Sequence, residues 1–420
     1  MDIHVTWAII IGFAILMYAI FDGFDLGTGI LLFFVRNEVE RDMIVDTITP
    51  VWDGNETWIV LAGVGLFGGF PLAYGTILPA LYLPFIVMVL SLAFRALSME
   101  FRFLAGKGKH RWDLVFSIGS LLAGFCQGLI LANLIDGVVS RTMASAMNMQ
   151  PLYFFTPFAC STGLLVVLLY LLMASNWLNL KTSGRIQDRV KKASRILGVI
   201  VLIIMAFLIF SRKMISAFAP RFNYNGFLAH HETISLILYG ISAIALLLIV
   251  LRIRGRNDKL PFLLNILLFV CLGAEVIGHL WPFIVPPYVT LFSAGSPEYG
   301  NSVLLYSALV VVPIIILYIT FSYFVFKGKA KRKEQYEPVL ADDLKALHRK
   351  GKETNERNSK ITNLRWPVRI LLSLTWLILF FIVLGFLGDF AALGIIFVLN
   401  VVFLFFWYKQ SRQNQYPNES

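Results

Sequence analysis

Charge is scarce along this chain of 420 residues, with Asp, Glu, Lys and Arg making up only 15% of it. Apolar residues account for 58% and the mean hydropathy is strongly positive, so a soluble globule is excluded on composition. Cysteine is rarer still. Cys126, Cys160 and Cys271 each lie inside an apolar run, without the paired spacings that hold zinc or an iron–sulfur cluster, and they read as core filling. Basic residues are missing before Arg36, and the apolar run there is far longer than a signal-peptide core, so the first helix is expected to be retained as an anchor.

What the chain has instead is a succession of apolar runs near the ~20 residues that cross a bilayer. They fall at 6–34, 48–71, 74–98, 113–136, 156–179, 194–211, 229–251, 260–284, 302–326, 368–386 and 390–408, which predicts eleven helices. The basic residues concentrate in alternate loops, around Arg102–Arg111, Lys181–Arg195, Arg252–Lys259 and Lys327–Arg369. Only Arg141, Arg212, Lys213 and Arg221 of the 36 fall on the other side, which predicts an outer amino terminus. The net charge of +11 follows from this bias together with attraction to anionic lipid, so membrane lipid is expected as a partner and nucleic acid is not.

The fold class is therefore all-α and polytopic. Residues 1–327 read as a nine-helix core, compatible with two four-helix bundles plus one helix, with segments 137–154, 213–228 and 285–301 forming an outer lid. A charged cytoplasmic linker follows over 328–366, with some helix expected at Pro338–His348. Residues 367–410 read as an appended transmembrane hairpin turning at Gly385–Asp389, and 411–420 as a cytoplasmic tail.

Against this apolar background, Asp22 and Asp25 stand out in the first run. An ionised Asp at a bilayer centre costs about 2.5–3.5 kcal/mol on insertion scales, so each needs a partner charge, a proton or water. The topology places Asp53 and Glu56 in the cytoplasmic half of the second helix, with Arg95 and Glu100 at the cytoplasmic end of the third. Within each acidic pair the spacing of three puts both carboxylates near one helix face. Several acids around one Arg form a graded set of proton acceptors, which is what a proton relay requires. The plain alternative is a packing network for the first three helices, with Gly23, Gly27 and Gly29 permitting close approach. Excess acid beyond what one Arg can pair favours the relay.

Elsewhere the signals are weaker. Glu275 and His279, four apart, read first as a structural hydrogen bond, and His230 with His231 points to different faces rather than to a shared metal. Of six His, only His279 has an intramembrane position, while His4, His110, His230, His231 and His348 fall at termini, loops or boundaries. Met17, Met88 and Met205 read as apolar fill, so this chain is not expected to ligate haem by itself.

The segments Asp22-Gly23-Phe24-Asp25-Leu26-Gly27-Thr28-Gly29 and Trp52-Asp53-Gly54-Asn55-Glu56-Thr57-Trp58 together resemble subunit II of cytochrome bd-type quinol oxidases. Phe94-Arg95, Glu100-Phe101-Arg102 and Val312-Pro313-Ile314-Ile315-Ile316-Leu317-Tyr318 look similar too, so the resemblance covers roughly 1–330. It implies a heterodimeric enzyme of a bacterial or archaeal cytoplasmic membrane that oxidises quinol and reduces dioxygen to water. Haems b and d would be carried by a partner, subunit I. The resemblance allows a small accessory subunit and, in some members, a structural quinone. Carried over, Asp25, Asp53, Arg95 and Glu100 match the family's polar pathway from the cytoplasm, with Trp52 beside it and Glu100 standing where the family has Asp. The typical subunit ends near the ninth helix, so the resemblance gives the segment after Lys327 no role. The alternative from another class is a proton-coupled secondary transporter or channel that uses the same acidic cluster.

Overall fold

Inside a bilayer no water is available to satisfy backbone groups, and a helix satisfies them within its own segment. The computed structural model describes residues 2–137, 152–218, 232–253, 255 and 257–330, and the elements there are almost all helical. The chain divides into two compact units, Met1–Arg332 and Lys333–Ser420. The second unit, with the predicted hairpin and the helix at 338–348, lies outside the described residues, as do His230 and His231.

Helix α1 (Ile3–Leu31) is capped by Asp2, whose side chain accepts from the His4 amide, and it runs on through a 3-10 turn at Leu32–Phe34. A short amphipathic helix, α2 (Glu38–Asp46), follows on an Asn37 cap. Then come α3 (Trp52–Gly69), α4 (Pro71–Ala80), α5 (Tyr82–Leu104), α6 (Lys109–Ile135) and α7 (Pro157–Lys181). Helices α8 (Arg185–Phe218), α9 (Glu232–Arg252) and α10 (Leu260–Leu280) lead to strands β1 (Phe283–Val285) and β2 (Val289–Thr290). A single turn, α11 (Leu291–Ala294), and the long α12 (Glu298–Val325) complete the described part. Among the described residues seven helices are long and apolar enough to cross a membrane, and α3 with α4 makes an eighth if the bent pair is counted as one span.

That bend corrects the sequence reading, which runs one helix over 48–71 and the next over 74–98. The chain turns by 119° between α3 and α4, and the predicted third helix is interrupted at Leu81, between Pro79 and Pro84. Hydropathy does not register the break because every residue around it is apolar. At this end of the bundle, where α1 begins, the carbonyls freed at the α3 terminus are satisfied from far along the chain. Ser296 donates its amide to the Gly69 carbonyl (3.0 Å) and its hydroxyl to that of Gly68 (2.8 Å). Trp7 Nε1 donates to the Asn301 carbonyl (3.2 Å), so the 283–301 segment is stitched to α1 as well.

The opposite end is held by ions. Arg102, almost fully buried, reaches Asp113 at 2.5 Å and Asp42 at 2.6 Å, and Lys109 reaches Asp42 at 3.1 Å. Burial works against the Asp42 charge, but hydrogen bonds from Arg102 and Lys109 outweigh it and hold its carboxyl below the ordinary value. A second clasp binds the start of the predicted linker. The Ala330 amide donates to the Lys181 carbonyl (2.8 Å), Lys181 Nζ donates to the Phe326 carbonyl (2.5 Å), and Asp258 accepts from Lys329 and Gln187, each at 2.9 Å.

Burial also opposes the Asp258 charge, and the bonds from Lys329 and Gln187 bring its carboxyl below the ordinary 3.8. A lowered value means that the clasp adds stability at neutral pH and loses it as pH falls through the carboxylate range. Asp258→Ala is therefore expected to lower thermal stability by about 1 kcal/mol at pH 7. The difference from wild type should shrink below pH 3.8. Melting of the purified protein across pH checks both.

Candidate functional site

Tyr18, Asp22 and Asp25 recur on α1 at intervals of four and three, which places them on one face. That face meets α3, α5 and α6. Arg95, from α5, is fully buried and forks between two carboxylates: Nη1 donates to Asp22 Oδ1 at 2.5 Å and Nη2 to Glu56 Oε1. Asp25 is equally buried and accepts from Asn55 Nδ2 at 2.7 Å, while Tyr323 on α12 donates to Asn55 Oδ1 at 3.0 Å. On the other flank Tyr170 (α7) donates to Gln127 Oε1 (2.6 Å), and Gln127 (α6) donates to the Tyr18 hydroxyl (2.8 Å). Side chains from six helices thus converge on one polar seam inside an apolar bundle.

Glycine makes the convergence possible. A Cβ at Gly27 would run into the Tyr170 carbonyl, and one at Gly23 would lie 2.7 Å from the Tyr170 ring. Small residues at such positions let helix backbones approach, as is common between membrane helices.

The seam is not sealed on every side. The Glu56 side chain keeps 25% of its surface exposed, although Asp22 and Arg95 are fully buried. Asp25 Oδ1 and Arg95 Nε lack hydrogen-bond partners among the described residues. Buried polar atoms of this kind are normally satisfied by ordered water or carry a function.

Of the residues singled out in the sequence, Asp22, Asp25, Glu56 and Arg95 come together. Asp53 and Glu100 do not join them: both are exposed on the surface of this chain, at the first turn of α3 and near the end of α5. The shared-face reading of Asp53 with Glu56 is therefore corrected. Residues three apart still diverge by about 60° around a helix, and the Arg95 guanidinium draws Glu56 inward while Asp53 faces out. Trp52 is buried in the main apolar core. Glu275 and His279 meet at 3.5 Å, and Ser235 from α9 donates to Glu275 at 2.8 Å. Cys126 and Cys271 are buried and free.

Sequence reasoning missed Tyr18, Asn55, Gln127, Tyr170 and Tyr323. Some signal was there: Tyr18 precedes Asp22 by one turn, Asn55 adjoins Glu56, and Gln127 is an amide within an apolar run.

The fold and the site define a class first, a multi-pass membrane protein that encloses a cluster of ionisable groups within its bundle. A family model for cytochrome bd terminal oxidase subunit II matches residues 3–326, and the chain belongs to that family. It is 28% identical over 347 residues to the cytochrome bd ubiquinol oxidase subunit 2 of Bacillus subtilis, covering 79% of this chain and 98% of that one. To the cytochrome bd-I ubiquinol oxidase subunit 2 of Escherichia coli K12 it is 25% identical over 360 residues, covering 78% and 95%. The fold is also that of a chain in the bd oxidase of Geobacillus thermodenitrificans, with a TM-score of 0.62, 18% identity and coverage of 78% and 99%. These matches do not favour the transporter or channel alternative.

Proposed function

We propose that this chain acts as the non-haem subunit of a quinol oxidase in the bacterial cytoplasmic membrane, supporting a haem-bearing subunit I and conducting cytoplasmic protons to it. The single observation that carries the reading is the Arg95 fork, which joins buried Asp22 to half-open Glu56. Asp25, Asn55 and Tyr323 extend the buried side. On the surface side, Asp53 and Glu100 stand on α3 and α5, the same two helices that send Glu56 and Arg95 inward. Exposed carboxylates on apolar helices call for a cover, and subunit I is that cover in this reading.

The haems b and d belong to subunit I. Among the described residues the donor with an intramembrane position by sequence, His279, does not fit an axial role, since its Nδ1 contacts the Glu275 backbone carbonyl. Quinol is the reductant and dioxygen the acceptor. No proton has to be pumped. Protons for water taken from the cytoplasm, with quinol protons released outside, separate charge, each elementary charge being worth about 2.3 kcal/mol per 100 mV. The amino terminus is outside, nine helices form the core over 1–327, and the hairpin over 367–410 serves lipid contact, assembly or docking of an accessory subunit.

Asp25→Asn and Asp53→Asn test the relay, since the amide is nearly isosteric but takes up no proton. Oxygen consumption per haem d is expected to fall by about tenfold or more in Asp25→Asn and by about twofold or more in Asp53→Asn, with haem content retained and Asp53→Glu less impaired than Asp53→Asn. Full turnover in both Asn variants would leave a packing network as the better account.

A further inference from the structure

A second line of polar groups, separate from Asp53 and Glu100, reaches the same cluster from the end of the bundle held by ions. On α6, Asp113, Ser117 and Ser120 recur at intervals of four and three and all three are buried. On α5, Ser91, Arg95, Ser98 and Arg102 recur in the same way, again all buried. The two helices pack backbone to backbone: a Cβ on Gly119 would lie 2.8 Å from the Ser91 carbonyl oxygen and 3.4 Å from the Arg95 nitrogen. Ser120 therefore sits at the level of Arg95. Its hydroxyl occupies the notch that Gly29 leaves in α1, and Gly29 follows Asp22 by two helical turns on the same face.

Several enclosed atoms along this seam lack hydrogen-bond partners among the described residues, Ser120 Oγ, Arg95 Nε and Asp22 Oδ2 among them. Nothing in the packing of an ion pair requires an idle hydroxyl on α6 and an idle guanidinium N–H on α5. The entrance is defined too. His110 is exposed and touches Arg41 at 2.8 Å, and Arg41 in turn reaches Asp113 at 3.3 Å. From Asp113 to Ser120 the rise along α6 is about 10 Å, with Ser117 between them, which is too far for one hydrogen bond.

We infer that the seam between α1, α5 and α6 holds internal water and is a second proton inlet to Asp22, entered at Asp113 instead of Asp53. It rests on the relay reading above. Along it each water or hydroxyl takes one proton and passes one on, so nothing is oxidised or consumed. Arg95 is the meeting point: Nη2 faces the Glu56 branch, while Nε is free for water on this one.

The test uses the assembled oxidase in native membranes, with turnover normalised to haem d and measured in H2O and D2O. Two inlets in parallel that share the flux about equally predict that Ser120→Val and Asp113→Asn each lower turnover by roughly twofold and raise the solvent isotope effect. Ser120→Thr, which keeps the hydroxyl, should restore both, and Ser120→Val combined with Asp53→Asn should lose more than the product of the single losses. Should Ser120→Val assemble poorly, Ser120→Ala removes the hydroxyl without adding bulk and is expected to show the same partial loss. The inlet is overturned if the double variant is no slower than Asp53→Asn alone, or if the hydroxyl-free variants keep wild-type turnover and isotope effect. Asp25→Asn, run in parallel, separates the two ideas: if it is slow while the Ser120 variants are normal, the relay stands and only this inlet falls. If Asp25→Asn is also normal, both fall.

Discussion

Arg95→Leu is expected to abolish accumulation of the assembled oxidase. Among the described residues Arg95 is the one cation within hydrogen-bond distance of Asp22, and both side chains are fully buried. Removing it leaves the Asp22 carboxylate uncompensated away from water, a loss of about 3–5 kcal/mol for a broken buried pair. That is a large part of the stability of an ordinary domain. Arg95→Lys should rescue poorly, because an ammonium is a point charge and cannot repeat the planar fork to Asp22 and Glu56. Arg95→Leu combined with Asp22→Leu removes both charges and should recover part of the yield. Haem d per milligram of membrane, with co-purification of the two subunits, reads the result. Normal assembly of the single Leu variant would mean that Asp22 does not depend on Arg95.

Gly27→Val is the second large effect. At Gly27 an added Cβ meets the Tyr170 backbone carbonyl and the Ala174 Cβ, so α1 and α7 must move apart as rigid bodies. Overpacking of this kind costs about 1–3 kcal/mol, more when the obstacle is backbone. The same movement would pull Tyr170 from Gln127, and Gln127 from Tyr18, so the polar seam opens along with the apolar contact. Gly63→Val is the control, since nothing lies within 4 Å of a Cβ there. Subunit yield after detergent extraction should fall sharply for Gly27→Val and stay near wild type for Gly63→Val.

The residues most visible in the sequence were those whose burial costs most. A carboxylate or guanidinium in an apolar run must be met by something, so Asp22, Asp25, Glu56 and Arg95 could be grouped before any fold was known. Neutral polar groups are cheaper to bury and give a weaker signal, which is why Gln127, Tyr170 and Tyr323 became visible only through their bonds. The sidedness of Asp53 was invisible for another reason: a helix period places it relative to Glu56, but only the position of Arg95 decides which of the two turns inward. Helix α2 escaped because nine residues of mixed polarity carry no membrane signature. The ends of α4 and α5 were hidden because hydropathy averages over a bend.

The bent end of α3 also bears on how the molecule is made. Gly68 and Gly69 emerge from the ribosome long before their partner, since Ser296 lies 228 residues beyond Gly68. At ~5–20 residues per second that interval is about 10–45 s. During it the first helices are in the membrane with two carbonyls open at their most irregular point, a state lipid tolerates badly. Completion of the early half of the bundle thus waits on arrival of the late half, which brings Ser296 to the Gly68 carbonyl.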